Sequence, residues 1–388
     1  MPDRFPDLLP KTFRAFSSAL VNAPLVSDVA NGRENNFNLL RFLAASAVIL
    51  FHEHGIAPTP GAIEPFYWLT RGRDDGGSLA VAVFFIISGF LVTQSFVARG
   101  GSLSNFLAAR VLRIFPALWV AVPFTIIVSS FASAVPWGPY LTHPQTIRYW
   151  WHNSLLWDLQ FNLPGAFRHV PLAGNVNGAL WTLPTEFRMY LVCAGLGLLG
   201  IYRSRSFFNL FLLCVALCAV VTKPEALPVV SDIHTAQWVF AFLIGAAFYL
   251  NREHIRLSIP LAIALLLTTY PIRNPDIGRI YILPALSYAT LCVALHPALF
   301  FRPFTRLGDY SYGLYIYAFP LQQQIAFYHP GINWLIGLAV TYPIILGVAV
   351  VSWHLVEKPA LSLKKYFRGR PRDQPAPKEE MAVQAVGS

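Results

Sequence analysis

The amino-acid sequence predicts an all-α integral membrane protein with about ten transmembrane helices and with both the N- and C-termini in the cytoplasm. Composition indicates the class, because 55% of the 388 residues are hydrophobic and only 12% are charged. Soluble domains carry about 25% charged residues. The mean hydropathy is +0.50. An aromatic content of 14% and 30 prolines are typical of a bundle with aromatic belts and interrupted helices.

The helix count comes from apolar runs of helical length along the chain. A helix needs about 20 apolar residues to cross a bilayer, and several of the runs are shorter than that. The run at 258–271 is the weakest. The ten runs lie near 37–55, 79–97, 114–133, 187–202, 207–222, 236–250, 258–271, 280–300, 310–327 and 333–355.

The distribution of basic residues predicts the orientation. With the N-terminus inside, ten helices place 20 Lys and Arg residues in cytoplasmic segments and 7 in outer segments, as the positive-inside rule requires. An odd number of spans would place the basic C-terminal segment outside. The net charge of +10 therefore reflects topology, and we expect membrane lipid, not nucleic acid, as the partner of this basic surface.

The chain divides into three predicted regions. Residues 1–35 are expected to form an N-terminal cytoplasmic extension. A signal peptide is the alternative, but Asn22 and Pro24 interrupt its apolar stretch. Residues 36–360 form the membrane domain. Residues 361–388 are expected to be a basic, disordered tail, because they combine many charges with few apolar residues.

One of the predicted outer loops is much longer than the others. The loop at roughly 134–186 is rich in Trp and Asn, and a loop of this length usually carries function or its own structure.

The four cysteines lie inside apolar runs without a Cys-x-x-Cys pair. We therefore expect them to be packing residues, and no metal site is predicted.

The first predicted helix contains charged and titratable side chains that a bilayer disfavours. Arg41 and His52 are eleven residues apart, which returns to within roughly 20° of the same helix face over about 16 Å. Arg41 is therefore expected near the cytoplasmic mouth and His52 deeper on the same stripe, with His54 on the opposite face. The alternative is that Arg41 reaches the inner interface and the histidines end the helix.

Two further segments suggest contacts with a ligand or with neighbouring helices, the second of them at the cytoplasmic entrance. Ser88-Gly89 lies in the middle of an apolar run, where Gly indicates either close helix packing or contact with a ligand. Arg110 and Arg113 have i, i+3 spacing and share one helix face. Two guanidinium groups there can bind phosphate oxygens, whereas the simpler alternative is anchoring at the inner interface.

The last group of candidates comes from the second half of the chain. Trp181, Glu186 and Tyr190 stand where the long loop enters a helix, and Arg188 or His52 is a possible partner of the carboxylate. A carboxylate favoured by the helix dipole is the alternative. Tyr312 and Tyr315 lie in a tyrosine-rich helix, where packing is the more common role. The sequence Glu357-Lys358-Pro359 predicts a helix stop.

Taken together, these stretches resemble acyltransferase family 3, bacterial membrane O-acyltransferases that acetylate cell-surface and secreted sugars. The similarity runs from about residue 35 to 360, and it is to the stand-alone form without a soluble esterase-like domain. One departure is Ala318, where members often carry His. The matching features are the Arg41-x10-His52 spacing, "FFIISGFL", "RVLRIFPALW", "LWTLPTEFRMY", "SYGLYIYAFP" and "VEKP".

The resemblance implies acetyl-CoA as donor, a carbohydrate as acceptor, and a multi-pass location in the bacterial inner (cytoplasmic) membrane. Arg110, Arg113 and Arg41 would hold the CoA phosphates, with His52 deeper as general base or acyl carrier. Glu186, or less favourably Glu53, would orient the imidazole. The acceptor would bind to the outer loop and to aromatic residues, namely Trp181, Tyr190, Tyr312 and Tyr315.

Other functions remain open at this point. A transporter or flippase of a glycolipid or sugar would also explain ten spans and intramembrane charges. The sequence shows no repeated halves with matched broken helices, which disfavours that reading. A membrane scaffold explains the intramembrane charges poorly.

Overall fold

The protein is all-helical over the residues that the structure describes. The structure is a computed structural model that describes residues 18–30, 32, 34–98 and 102–367. Within these residues no strand forms, and the only β contacts are two isolated bridges. The main helices are α1 (Phe37–Ile56), α2 (Gly76–Ala98), α3 (Leu103–Ser130), α4 (Pro144–Ser154), α5 (Leu183–Leu198), α6 (Arg205–Thr222), α7 (Ile233–Leu250), α8 (Ile259–Thr269), α9 (Pro275–Leu295), α10 (Ser311–Tyr328) and α11 (Trp334–Ser352).

Short helical turns fill most of the connections between these helices. The last helix passes through a π-helical turn at Trp353–Glu357 and continues as Lys358–Ser362 and Lys364–Phe367. The predicted stop at Glu357 is therefore wrong, because Pro359 sits in the first turn of the continuing helix, where it is tolerated. The other turns are Val26–Val29, Pro65–Leu69, Trp137–Thr142, Gly178–Thr182, Ile201–Arg203, Pro224–Ala226, Pro297–Leu299 and Arg302–Arg306.

Each of the ten predicted apolar runs overlaps a helix, and α4 lies within the long loop. Seven helices in the described chain are long and apolar enough to cross a membrane. The other three are α5 with 16 residues, α8 with 11 residues, and α10, which has 18 residues but carries Gln322 and Gln323. The fold is that of a multi-pass membrane protein, whereas the total of ten spans stays a prediction.

The centre of the bundle is the crossing of α2 and α7. A Cβ atom at Gly89 would overlap the carbonyl of Phe242, and one at Gly245 would overlap the carbonyl of Ile86. Only glycine lets the two backbones approach this closely. Gly89 therefore serves helix packing, the simpler of the two predicted roles, while Ser88 beside it lines a cavity.

A second packed face joins α1, α10 and α11. The buried carboxylate of Glu53 accepts a hydrogen bond from Gln322 Nε2 at 2.6 Å and lies against Gly337, where a Cβ would overlap it. Ser46 Oγ lies 2.7 Å from Tyr342 Oη. Ala318, the position of the departure noted above, is 1% exposed in this small-residue interface, so the structure uses it for packing.

The long loop folds against α3 and α10. Asn177 Nδ2 donates to the carbonyl of Ile316 at 2.9 Å, and Gln323 Nε2 donates to the carbonyl of Asn175 at 2.7 Å. Phe167 is fully buried with its ring 6.3 Å from Phe327. The loop therefore has the internal structure that its length predicted.

The two terminal regions are described only in part. The segment before α1 pairs with the loop after α7, where Val26 N donates to the carbonyl of Ile255 at 2.9 Å. The predicted tail begins later than expected, because residues 361–367 are still helical. Residues 1–17 and 368–388, with most of the predicted extension and tail, lie outside the described residues.

Replacing Gly89 with Leu is expected to destabilise the protein strongly, because the new side chain would force α2 and α7 apart. Overpacking of a close interface typically costs about 1–3 kcal/mol. Thermal unfolding in detergent measures the effect. Gly347 is the matched control, because a Cβ there has nothing within 4 Å. Equal midpoints for Gly89→Leu and Gly347→Leu would contradict the proposed close approach.

Candidate active site

Three adjoining cavities lead through the bundle from Arg41 to His52. The first, the arginine cavity, has a volume of about 360 Å³ and includes Arg41, Arg110 and Arg113 in its lining. The second, the middle cavity, is narrow at about 40 Å³ and shares Arg41 and Arg113 with the first. The third, the histidine chamber, measures about 220 Å³, contains His52, and shares Val81 and Tyr315 with the second.

The stripe predicted on α1 is therefore present in the fold. Arg41 lines the arginine and middle cavities, and His52 lines the histidine chamber. His54 points elsewhere, with its ring 4.1 Å from that of Trp334. The spacing of eleven residues, about three helical turns, places Arg41 and His52 on the same face of α1, along the connected cavities. His54 lies on another face.

Asp309 joins the two arginines and was missed by the sequence analysis. Its Oδ2 atom lies 2.6 Å from Arg41 Nη1 and 2.7 Å from Arg113 Nη2. Its Oδ1 atom accepts a hydrogen bond from Ser311 Oγ at 2.5 Å. Burial alone would raise the pKa of Asp309, but Arg113 and Arg41 outweigh it and hold the pKa at about 2. The sequence feature that could have pointed to this role is the position of Asp309, a carboxylate just before the tyrosine-rich helix α10.

Glu357 is a second missed carboxylate at the same place. Its Oε2 atom lies 3.9 Å from Arg113 Nη1, and its Oε1 atom accepts from Ser352 Oγ at 3.1 Å. The π-helical turn at Trp353–Glu357 aims this side chain inward, and such turns frequently mark functional sites. Glu357 was predicted only as part of a helix stop, so its place beside Arg113 was not expected.

Arg110 is the third arginine in the lining of the arginine cavity. Its guanidinium carbon lies 5.6 Å from the ring centre of Tyr190 and 5.8 Å from that of Phe106. The three predicted phosphate-binding residues, Arg41, Arg110 and Arg113, are thus brought together around one cavity. Lys364, from the short helix that follows α11, also lines it.

Glu186 does not take the position that was predicted for it. It accepts a hydrogen bond from Tyr190 Oη and lines the middle cavity with Arg41 and Arg113, not the histidine chamber. Arg188 is exposed on the same helix. The expected contact with His52 is absent from the hydrogen bonds of the described residues, because one helical turn aligns Glu186 with Tyr190.

His52 has no carboxylate partner in the described structure. Its Nδ1 atom is buried without a hydrogen-bond partner, and its ring meets that of Phe319 edge-on at 5.0 Å. Glu53, the other residue considered for orienting it, is held by Gln322 on a different face of α1. Aromatic packing, not a carboxylate, therefore fixes the orientation of the imidazole.

The four predicted substrate-binding aromatics divide between the cavities. Trp181 lines the histidine chamber, and Tyr315 borders both this chamber and the middle cavity, with its hydroxyl 2.6 Å from Thr182 Oγ1. Tyr190 lines the arginine cavity. Tyr312 lies beneath Arg113 at 5.6 Å and donates to the carbonyl of Ile114 at 3.0 Å. Tyr190 and Tyr312 therefore belong to the arginine end.

Comparison with known proteins identifies the family. The family model described as an acyltransferase domain, Acyl_transf_3, matches residues 34–354. The chain belongs to acyltransferase family 3. It is an O-acyltransferase, in agreement with the resemblance read from its motifs.

Three relatives of this acyltransferase have informative names. An "O-acetyl transferase" of Shigella phage Sf6 is 29% identical and covers 84% of this chain and 96% of its own. "Nodulation protein 10" of Rhizobium leguminosarum bv. viciae is 28% identical, with 86% and 95% covered. "Putative peptidoglycan O-acetyltransferase YrhL" of Bacillus subtilis is 25% identical, with 76% and 52% covered. No solved structure matches the chain.

Replacing Asp309 with Asn should destabilise the acyltransferase, because Arg41 and Arg113 would lose the carboxylate that they share. Breaking a buried ion pair on one side typically costs about 3–5 kcal/mol. The measurement is the midpoint of unfolding in detergent. Asp158→Asn is the control, since the Asp158 side chain is 66% exposed and its Oδ2 atom contacts His152 at 3.5 Å and Gln160 at 3.3 Å, with no arginine among these partners. A wild-type midpoint for Asp309→Asn would show that the pairing does not hold the helices together.

Proposed function

We propose that this O-acyltransferase moves an acyl group, expected to be acetyl, from cytoplasmic acyl-CoA to a hydroxyl of a carbohydrate on the opposite side of the membrane. The observation that carries the proposal is the connected series of cavities. One end is lined by arginines, the other contains a histidine among aromatic rings, and the two ends share lining residues through the middle cavity.

The arginine cavity suits the donor. CoA carries several phosphate groups, and guanidinium groups bind phosphate oxygens with two parallel hydrogen bonds. Arg41 and Arg113 are already engaged by Asp309, so phosphates would share them with this carboxylate. Arg110 adds a third guanidinium group to the same cavity, with its guanidinium carbon 5.6 Å from the ring centre of Tyr190. The arginine end would be cytoplasmic, because CoA is a cytoplasmic molecule, and the cytoplasmic membrane of a bacterium is the expected location.

The histidine chamber suits the acceptor. The names of two relatives refer to O-acetyl transfer, one of them to peptidoglycan, which supports a carbohydrate hydroxyl as the acceptor. Trp181 and Trp238 provide aromatic faces in the chamber, with ring centres 4.6 Å apart. A pocket with aromatic walls and few polar groups is a common form of small-molecule site.

His52 is the base in the proposed reaction. Imidazole, with an unperturbed pKa of about 6.5, is suited to proton transfer near neutral pH. His52 takes the proton of the acceptor hydroxyl, whose oxygen forms a bond to the thioester carbonyl carbon. The carbon–sulfur bond then breaks, and the CoA sulfur leaves with the proton from His52. Acyl transfer through His52 itself is the alternative.

Arg110→Ala is expected to weaken acetyl-CoA binding by about tenfold or more, the usual effect of losing a hydrogen bond between charged groups. Isothermal calorimetry on the purified protein at low and moderate salt measures this, and salt should weaken binding to the wild type more than to the variant. Arg205→Ala is the matched control, because Arg205 starts α6 and does not line the cavities. Equal acetyl-CoA affinity in both variants would contradict the proposal that the donor binds in this cavity.

His52→Ala should lower the rate of acetyl transfer by at least about a hundredfold, the contribution typical of a general base, while acetyl-CoA affinity stays unchanged. Thiol release from acetyl-CoA reports the rate, and calorimetry reports the affinity. Intact mass after an acid quench separates the two roles of His52, since an acetylated wild-type protein would support the acyl-carrier route. A wild-type rate of acetyl transfer by His52→Ala at normal expression would contradict both roles, general base and acyl carrier.

A further inference from the structure

We propose that the histidine chamber binds one sugar ring of the acceptor through Trp181 together with three side chains that the sequence did not point to, namely Trp238, Asp75 and His234. The ring would lie against the aromatic corner formed by Trp181 and Trp238, and its hydroxyls would bond to Asp75 and His234. This inference rests on the proposed function, because it names the part of the acceptor that reaches His52. All of these residues line the same chamber.

The aromatic corner has the shape and chemistry of a sugar-binding wall. The two indole rings meet at 67°, and Trp181 leaves 41% of its surface exposed. Trp238 is only 1% exposed, yet its Nε1 atom is buried without a hydrogen-bond partner. A buried indole N–H normally finds an acceptor. A sugar oxygen in the chamber would supply one, while the carbon face of the ring covers Trp181.

The polar side of the chamber is a chain of three side chains. Ser78 Oγ lies 3.3 Å from Asp75 Oδ2 and 3.3 Å from His234 Nδ1. A carboxylate, a hydroxyl and an imidazole in sequence offer both acceptors and donors. Neighbouring hydroxyls of a sugar ring present the complementary groups. Asp75 and Ser78 come from the start of α2 and His234 from the start of α7, so the chain of polar groups exists only in the folded bundle.

A purely structural role accounts for only part of this arrangement. Asp75 Oδ1 accepts from Ser78 N at 2.7 Å and so caps α2. The network that fastens the loop to α7 uses Asp74 instead, whose Oδ2 atom accepts from Gln237 Nε2 at 2.7 Å. Asp74 is 2% exposed and does not line the chamber. Capping explains neither the approach of His234 nor the unpartnered nitrogen of Trp238.

The size of the chamber suits a small ligand. A volume of about 220 Å³ is well above the roughly 10–15 Å³ that a single water molecule needs, so the chamber has room for a ligand such as one sugar ring. Any further units of the acceptor would extend outside. Because His52 lines the same chamber, a hydroxyl of the bound ring would lie beside the proposed base.

The test uses the full-length protein in lipid nanodiscs and six defined probes. These are the methyl α-pyranosides of D-glucose, D-galactose, D-mannose and L-rhamnose, together with N-acetyl-D-glucosamine and N-acetylmuramic acid. Tryptophan fluorescence measures binding during titration. Asp75→Asn keeps an oxygen to cap α2 but removes the charge, and Trp238→Phe keeps a ring but removes the N–H group. The matched controls are Asp232→Asn, at the cap of α7, and Trp157→Phe, on the exposed loop.

At least one probe should change the wild-type fluorescence in a saturable way. Asp75→Asn and Trp238→Phe should raise its half-saturation concentration by about tenfold or more, whereas both controls stay within about twofold. With that sugar as acceptor in the thiol-release assay, Asp75→Asn should raise the KM for sugar and leave the KM for acetyl-CoA unchanged. A general packing defect would move both constants.

Two results would overturn the subsite. One is that no probe binds saturably to a wild-type protein that does bind acetyl-CoA. The other is that Asp75→Asn and Trp238→Phe bind the sugar as tightly as their controls. Failure of the proposed function looks different, because the wild type would then neither bind acetyl-CoA nor release thiol from it.

Discussion

The carboxylate of Asp309 fixes the position of the arginine end of the molecule. It is bonded to Arg41 from α1, to Arg113 from α3 and to Ser311 at the start of α10. A charge taken out of water is costly unless it is paired and hydrogen-bonded, and here both carboxylate oxygens are used. The carboxylate therefore ties three helices together at this place, and the two arginines that it holds line both the arginine and the middle cavity.

The α2–α7 crossing determines the other end in a comparable way. Gly89 and Gly245 allow the two helices to touch along their backbones, and the contact brings the first turn of α2 beside the first turn of α7. Asp75, Ser78 and His234 become neighbours for that reason. The charged end is thus held by an ion pair, and the aromatic end by close packing of small residues.

The sequence predicts most of the fold because membrane helices are set by length and hydropathy. Ten apolar runs overlap ten helices, and the stripe from Arg41 to His52 follows from helical periodicity alone. What could not be predicted depends on contacts distant in sequence. Asp309 lies 268 positions from Arg41, and Glu357 faces inward only because a π-helical turn rotates it. Neither feature leaves a periodic signal.

The error over Glu186 has a related cause. On sequence alone, the nearest attractive partner for a membrane carboxylate was an imidazole or an arginine. The fold supplies a closer one, since Tyr190 lies one helical turn further along α5 and its hydroxyl bonds the carboxylate. The ring of Tyr190 also faces the guanidinium group of Arg110 from α3. A local pair thus satisfies Glu186 and leaves Nδ1 of His52 without a partner.

The narrow middle cavity separates the arginine cavity from the histidine chamber. In the proposed arrangement, with the two larger cavities on opposite sides of the membrane, a wide passage between them would let water and ions cross. At about 40 Å³, the middle cavity has room for no more than a few water molecules. The hydrogen bond between Tyr315 and Thr182, at 2.6 Å, spans it from α10 to the turn before α5. Under the proposed function, the donor and the acceptor would bind in the arginine cavity and the histidine chamber, and little water would lie between them. Scarce water strengthens the local electrostatic interactions and protects a thioester from hydrolysis.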